Sequence, residues 1–261
     1  MNAEDTPAGR KVGQKYAVPA LDKALDVLEL LAENAVSMSQ AEIGRALDRS
    51  ASEIFRTLSA LEGRGYIRRT QAGQYRLTLK LFELSRTHSP YDELLRVALP
   101  VMRELSETVR ETCHLTALRD GEIVVLAQHE SPKPLRLSVE VGSRHSPLAT
   151  TSGRIILSAM DETERDDFLR DYTDFDTLPE DVRDTFLTRV RAVAERGYEL
   201  SDGERFVGGL DVGVLIGSRR SHIKAALVVA TLRSAHGPDP EQIREAVGRA
   251  GRKITELVGV G

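Results

Sequence analysis

Between Ser50 and Leu77 the chain has little freedom in what it can fold into. Ser50 is followed three residues later by Glu53, the pairing of a capping box. In such a box the hydroxyl serves the Glu53 N–H and the carboxylate reaches back to the Ser50 N–H. Ile54, Leu58 and Leu61 then recur at i, i+4 and i+7, one apolar stripe of a helix. Ser52, Arg56 and Ser59 each precede a stripe residue by two positions, which puts them about 200° around the axis. Gly63 and Gly65 end the helix, since either takes the left-handed cap conformation at small cost. The result is a helix with a short polar and cationic outer face. Small polar groups permit close approach to DNA, and an arginine suits phosphate or guanine. Beyond it, Tyr66-Ile-Arg-Arg and Gln74-Tyr-Arg-Leu77 can pair across a loop in which Gly73 supplies a positive φ. Arg68, Arg69 and Arg76 would ride on that hairpin near a phosphate backbone.

The preceding residues complete the motif. Leu21, Leu25, Leu28 and Leu31 mark an amphipathic helix, Asn34 to Met38 a turn, and Ser39 with Glu42 a second capping box that opens a short helix through Leu47. Two capped helices separated by three or four residues, followed by a hairpin, predict a winged helix-turn-helix over residues 18–80. Its candidate DNA contacts are Arg49, Ser50, Ser52, Arg56 and Ser59 around the helix, with Arg68 and Arg69 on the wing. From Arg45 to Lys80 there are eight Lys and Arg against three acids, inside a chain whose net charge is −4. That asymmetry fits a nucleic-acid-binding module joined to a module with another task. Residues 1–17 lack the apolar centre of a secretory signal and read as a disordered polar arm. A run of about 18 apolar residues is missing, so no membrane span is expected. The single cysteine, Cys113, rules out an intrachain disulfide and fits a reducing cytoplasm.

Residues 81–110 read as linker helices, with Pro90 in a first turn and Pro100 positioned to bend or split the longer one. Strands follow. Thr112 to Leu118 alternates, Asp120-Gly121 signals a hairpin into Ile123 to Ala127, and Leu135, Leu137 and Val139 alternate again as a third strand. A helix is expected over 154–160, acidic helices over 161–170 and 181–196, and a short strand over 198–201. The runs 211–216 and 225–232 have the apolar character of central strands, and a closing helix covers 241–258. Strands in runs with helices to one side predict an α+β domain with a largely antiparallel sheet over 111–261.

Several stretches together carry a family resemblance. They are Ser39-Gln-Ala-Glu-Ile-Gly, Ile54-Phe-Arg-Thr-Leu-Ser-Ala-Leu-Glu-Gly-Arg-Gly-Tyr and Tyr75-Arg-Leu in the first half. In the second they are Ser146-Pro-Leu-Ala-Thr-Thr-Ser-Gly-Arg-Ile-Ile-Leu-Ser and Arg196-Gly-Tyr-Glu-Leu-Ser-Asp-Gly-Glu-Arg-Phe-Val-Gly-Gly. In this order and spacing the chain resembles the IclR family of bacterial transcriptional regulators from about Val18 to Leu257. The resemblance implies a winged-helix DNA-binding domain, a linker helix and a GAF-like effector domain that binds a small molecule. It further implies dimers or tetramers and control of catabolic operons. Two-fold symmetry would call for a pseudo-palindromic operator. Carried over by position, the effector pocket would include the backbone N–H groups of Thr151 and Ser152, an apolar wall of Leu135 and Leu137, and Asp202. Three positions depart from the family pattern. Asp211 stands where a cysteine is usual, and Val228 and Ala230 stand where many members have serines. Two donors are lost and a carboxylate is gained, which disfavours a small dicarboxylate and favours apolar bulk with a hydroxyl or cationic group. Arg136, Arg144 and Arg205 are the cations that could neutralise Asp211 instead.

Other chemistries find little support. Cys113 and His114 are adjacent on a strand and point to opposite faces, so they form neither a nucleophile–base pair nor half a metal site. His129 and His145 lack ligand spacing, no cofactor is expected, and the acids from Asp161 to Asp167 form a solvated helix face. Asp202 and Glu204 suit a structural turn as well as a ligand contact. Thr150-Thr-Ser-Gly lacks the lysine of a phosphate loop. The rival assignments are an enzyme with an accessory helix-turn-helix, and a DNA-binding protein whose second domain only oligomerises.

Overall fold

A computed structural model describes residues 18–259 apart from 35, 88–89, 205–206, 219–220, 222–223 and 234–236. The expected polar arm at 1–17 lies outside the described residues. The chain divides at Pro90 into two compact units.

The first unit runs α1 (Pro19–Asn34), β1 (Met38–Ser39), α2 (Gln40–Ala46), α3 (Ala51–Gly63), β2 (Ile67–Arg69), β3 (Gln74–Leu77) and α4 (Lys80–Thr87). Both capping boxes form, at Ser39 with Glu42 and at Ser50 with Glu53. Gly63 is the last helical residue of α3, and Gly65 takes the positive φ of 77° that turns the chain into the wing. Val27, Leu31, Ile43, Ile54, Leu58, Leu61, Ile67 and Tyr75 make the core. The turn between α2 and α3 is closed by the Arg49 N–H donating to the Gly44 carbonyl at 2.8 Å. A Cβ on residue 44 would lie 3.0 Å from the Arg49 carbonyl oxygen, so the tight turn favours glycine there. The wing has three strands, because β1 joins β3 antiparallel where a plain turn was expected.

The second unit runs α5 (Pro90–Val109), β4 (Thr112–Arg119), β5 (Glu122–His129), β6 (Arg144–His145), α6 (Thr151–Ser158), α7 (Glu162–Asp171), α8 (Thr173–Thr177), α9 (Glu180–Arg196), β7 (Glu199–Asp202), β8 (Gly209–Ile216), β9 (Ala225–Leu232) and α10 (Pro240–Val258). Its six strands order as β6-β5-β4-β9-β8-β7, every neighbouring pair antiparallel. Helices cover both faces rather than one. Cys113, Leu115, Val212, Leu227 and Val229 meet α5 and α10, while Ile123, Ala226 and Val228 meet the layer of α6 to α9.

Two expectations are corrected here. Pro100 neither splits nor ends α5, which continues to Val109 with Ala98, Val101, Met102 and Leu105 buried. Pro100 is exposed, so the missing hydrogen bond falls on the solvent side of the helix, where water can serve the freed carbonyl. The segment 135–139 is not a strand. Side chains of β4 and β5 take the place of a ladder: Thr112 Oγ1 donates to the Leu137 carbonyl at 2.6 Å, Gln128 Nε2 to Ser138 Oγ at 2.9 Å, and the Val139 N–H to Gln128 Oε1 at 2.5 Å. The edge position goes to β6.

Candidate DNA-binding face and effector cavity

The outer face of α3 carries Ser52, Arg56 and Ser59, all exposed, as the stripe spacing requires. Phe55 joins them at 54% exposure, a residue that polarity-based reading passed over. Its helical angle, about 40° from Ser59 on the side toward Leu58, was the available signal. Ser50 is occupied differently: its hydroxyl donates to Glu53 Oε2 at 2.8 Å inside the capping box. Glu53 also accepts from Lys23 Nζ at 2.8 Å, tying α3 to α1. That hydrogen bond first, and those from Ser50 next, hold the Glu53 carboxyl down at about 2.

On the wing, Arg68 and Arg69 are both exposed but differ in what they touch. The Arg69 guanidinium lies 5.7 Å from the Tyr75 ring centroid, and the Arg69 backbone N–H donates to Glu62 Oε1 at 3.1 Å, so the residue braces the hairpin. Arg68 stands directly across from Arg76, and neither has an ion pair among the described residues. Like charges set opposite each other on a ladder repel, an arrangement suited to an anionic partner. Arg49 is exposed at the α2–α3 turn.

In the second unit the Ser146 to Gly153 stretch folds back on itself to start α6. Thr150 Oγ1 donates to the Ser146 carbonyl at 3.1 Å and accepts from the Gly153 N–H at 3.1 Å. A Cβ on residue 153 would lie 2.0 Å from the Pro147 carbonyl oxygen, so only glycine permits this approach. The turn brings the N-terminus of α6 to a cavity of about 530 Å³ lined by Thr150, Thr151 and Ser152. The first N–H groups of a helix have no intrahelical partner. Opposite walls are His114 and Thr116 from β4, Ile123 and Val125 from β5, Leu137 to Glu140, Ser143, His145, Asp211 from β8 and Ala230 from β9. Thr151 Oγ1 donates to Asp211 Oδ2 at 3.1 Å.

Of the sequence-predicted pocket residues, Leu137, Thr151, Ser152, Asp211 and Ala230 come together here. Three others are placed elsewhere. Leu135 is 77% exposed, because with no strand to hold it the segment turns that side chain to solvent. Val228 shares a strand face with Ala230 but sits one step further under α6, fully buried near Ile155 and Gly213. Asp202 lies on the edge strand β7 and takes Arg233 as its partner, with Nε to Oδ1 at 2.9 Å. Arg136 and Arg144 do not reach Asp211 as their partner; they bind Glu130 and Glu122. Arg205 lies outside the described residues.

Arg154 of α6, two residues beyond the cavity-lining Ser152, belongs to an ionic cluster that the spacing of residues did not disclose. Glu199, fully buried, accepts from Arg154 Nε at 2.8 Å and from Arg189 Nη2 at 2.5 Å, and also pairs with Arg196. Glu204 pairs with Arg154 and Arg189. Burial pushes the Glu204 carboxyl up, but hydrogen bonding to Arg189 and the charges of Arg154 and Arg189 bring it below its ordinary value. Cys113 and His114 face opposite ways as expected, the thiol into the core and the imidazole toward the cavity. Burial raises the Cys113 thiol to about 12, which makes it inert.

A family model for the IclR helix-turn-helix domain matches residues 20–71, and one for the bacterial transcriptional regulator IclR C-terminal domain matches residues 90–256. The chain belongs to the IclR family of transcriptional regulators. It is accordingly a DNA-binding regulator and not an enzyme. Among IclR-family relatives, the regulator XynR of Escherichia coli K12 is 26% identical over 246 residues, covering 93% of this chain and 98% of that one. KdgR of Dickeya chrysanthemi is 28% identical over 264 residues, covering 95% and 86%. Among solved structures, an IclR homolog from Microbacterium hydrocarbonoxydans complexed with 4-hydroxybenzoate superposes with a TM-score of 0.77 at 21% identity, covering 93% of this chain and 100% of that chain.

Proposed function

We propose that this IclR-family protein is a homo-oligomeric repressor or activator of a catabolic operon, switched by a small organic molecule held in the cavity at the α6 N-terminus. The observation that carries this reading is the cavity itself, a concave space of metabolite size with convergent polar groups. It shares a chain with a winged helix whose outward face is cationic. The complex of the Microbacterium homolog supports a small organic effector as the class of ligand. In this reading Ser52, Phe55, Arg56 and Ser59 of α3 enter the major groove, while Arg68 and Arg76 meet phosphates. Exposed Leu21 and Leu25 on α1 and Leu81 and Leu84 on α4 support pairing of two copies, and hence a pseudo-palindromic operator in the cytoplasm.

The test is selection of a binding site from random duplexes, followed by titration with and without candidate effectors. Arg56→Ala should abolish selective binding while the protein stays folded. Arg68→Ala should weaken binding to all sequences and lower the salt slope by about one. Operator affinity unchanged in Arg56→Ala would refute the assigned face, and a wild type that selects no sequence would refute the reading as a whole.

A further inference from the structure

We infer that residues 134–140 form a strap over the effector cavity, latched by Gln128, and that opening this latch is the step by which a ligand enters and leaves. Gln128 is thereby a positioning residue for the effector, although it does not line the cavity itself. The inference rests on the cavity being the effector site. Sequence prepares the segment for this role. Pro132 and Pro134 remove two N–H groups that a ladder would use, and among the described residues 132–139 make no backbone-to-backbone hydrogen bond. Yet Leu137, Ser138, Val139 and Glu140 supply one wall of the cavity. That wall is a single chain thick: Leu137 and Val139 are half-buried, while Arg136, Ser138 and Glu140 are exposed.

What holds the strap is side chains. Thr112 and His114 alternate on one face of β4, and Gln128 stands directly across from His114, so all three rise on the face that floors the cavity. Thr112 Oγ1 donates to the Leu137 carbonyl at 2.6 Å. Gln128 holds two successive residues: its Nε2 donates to Ser138 Oγ at 2.9 Å and its Oε1 accepts from the Val139 N–H at 2.5 Å. Ser138 Oγ continues to Glu130 Oε1 at 3.3 Å, and the Arg136 pair with Glu130 is surface-exposed, where an ion pair contributes little. Both ends of the segment are anchored. Ser131 Oγ donates to the Arg110 carbonyl at 2.6 Å, and the Gly142 N–H to the Val125 carbonyl at 2.8 Å. The other described walls are fastened by backbone: β4, β5, β8 and β9 by their ladders, β6 by pairing with β5, and the start of α6 by its cap at Thr150. A segment without ladder bonds opens at lower free energy than the sheet beneath it. The strap is the wall that yields first.

Thiol labelling of the full chain with monobromobimane reads the latch directly. Ala230→Cys places a thiol on the cavity wall, while the native Cys113, in the core on the opposite face of the sheet, reports opening of the whole unit. Gln128→Met keeps the length of the side chain and removes both of its hydrogen bonds to the strap. Added to Ala230→Cys, it should speed labelling at position 230 at least about ten-fold, the scale of two hydrogen bonds, and leave Cys113 as slow as before. An unchanged rate at position 230 overturns the inference. So does equal acceleration at both thiols, which would mark general loosening. In the wild type the Val139 amide should exchange with solvent while the β4–β5 ladder stays protected; exchange of Val139 only together with that ladder overturns the inference without any variant. An effector response in operator binding that persists in Ala230→Trp, which fills the cavity, counts instead against the cavity as the effector site.

Discussion

Glu53 shows how one side chain serves folding and recognition together. Its carboxylate closes the capping box of α3 and accepts from Lys23 of α1, which orients the helix whose other face we propose for DNA contact. Its folded-state value of about 2 lies below the ordinary 4.5, so its stabilising contribution is full above about 4.5 and is lost as pH falls through about 2. Across that window wild type should lose more helix stability than Glu53→Gln, as followed by circular dichroism; identical acid profiles would remove Glu53 from the account. Phe55 is the other residue with a single-site prediction. An exposed aromatic ring beside Arg56 fits apolar contact with a thymine methyl group. Replacing thymine by uracil one position at a time in a selected operator should weaken wild-type binding several-fold at one position and leave Phe55→Ala unaffected there. Additive effects of the two changes would show that Phe55 does not read that methyl.

Among the elements, α6 depends most on what surrounds it. Glu199 of β7 is fully buried among Arg154, Arg189 and Arg196, and removing one partner of such a cluster leaves charge uncompensated. Glu199→Ala should cost the second unit about 3–5 kcal/mol in denaturant unfolding, against little for Glu164→Ala on the exposed face of α7. Most helices were legible in the sequence because capping boxes, stripes and terminal glycines are local signals; the five-residue α8 has no side-chain cap and was not anticipated, and α6 begins at Thr151 rather than at 154. The central strands were legible from their long apolar runs. What pairs at a distance was not: β1 and β6 span two residues each and exist only through their partners. Alternation at 135–139 revealed a period but not that Thr112 and Gln128 would bind the segment by side chains. The same limit explains the site. Val228 and Ala230 lie on one strand face, and only the position of α6 above them decides that one is core and the other cavity wall. Asp202 found Arg233 and Arg154 found Glu199 across dozens of residues, pairings that no spacing announces.

For the molecule as a whole, the apolar residues left outside the first unit's core set the expected assembly. Leu21 and Leu25 are one helical turn apart on α1, and Leu81 and Leu84 recur on α4, all at least 39% exposed. A double substitution, Leu21→Glu with Leu84→Glu, should shift the protein toward monomer in sedimentation and cost operator affinity, while leaving effector binding intact. Unchanged sedimentation would move the interface elsewhere. The wing adds a consequence of its own. With Arg68 facing Arg76 across the ladder, the isolated hairpin carries an electrostatic burden that phosphate oxygens remove. In the proposed complex the duplex supplies that counter-charge, and amide exchange in β2 and β3 should slow when operator is bound.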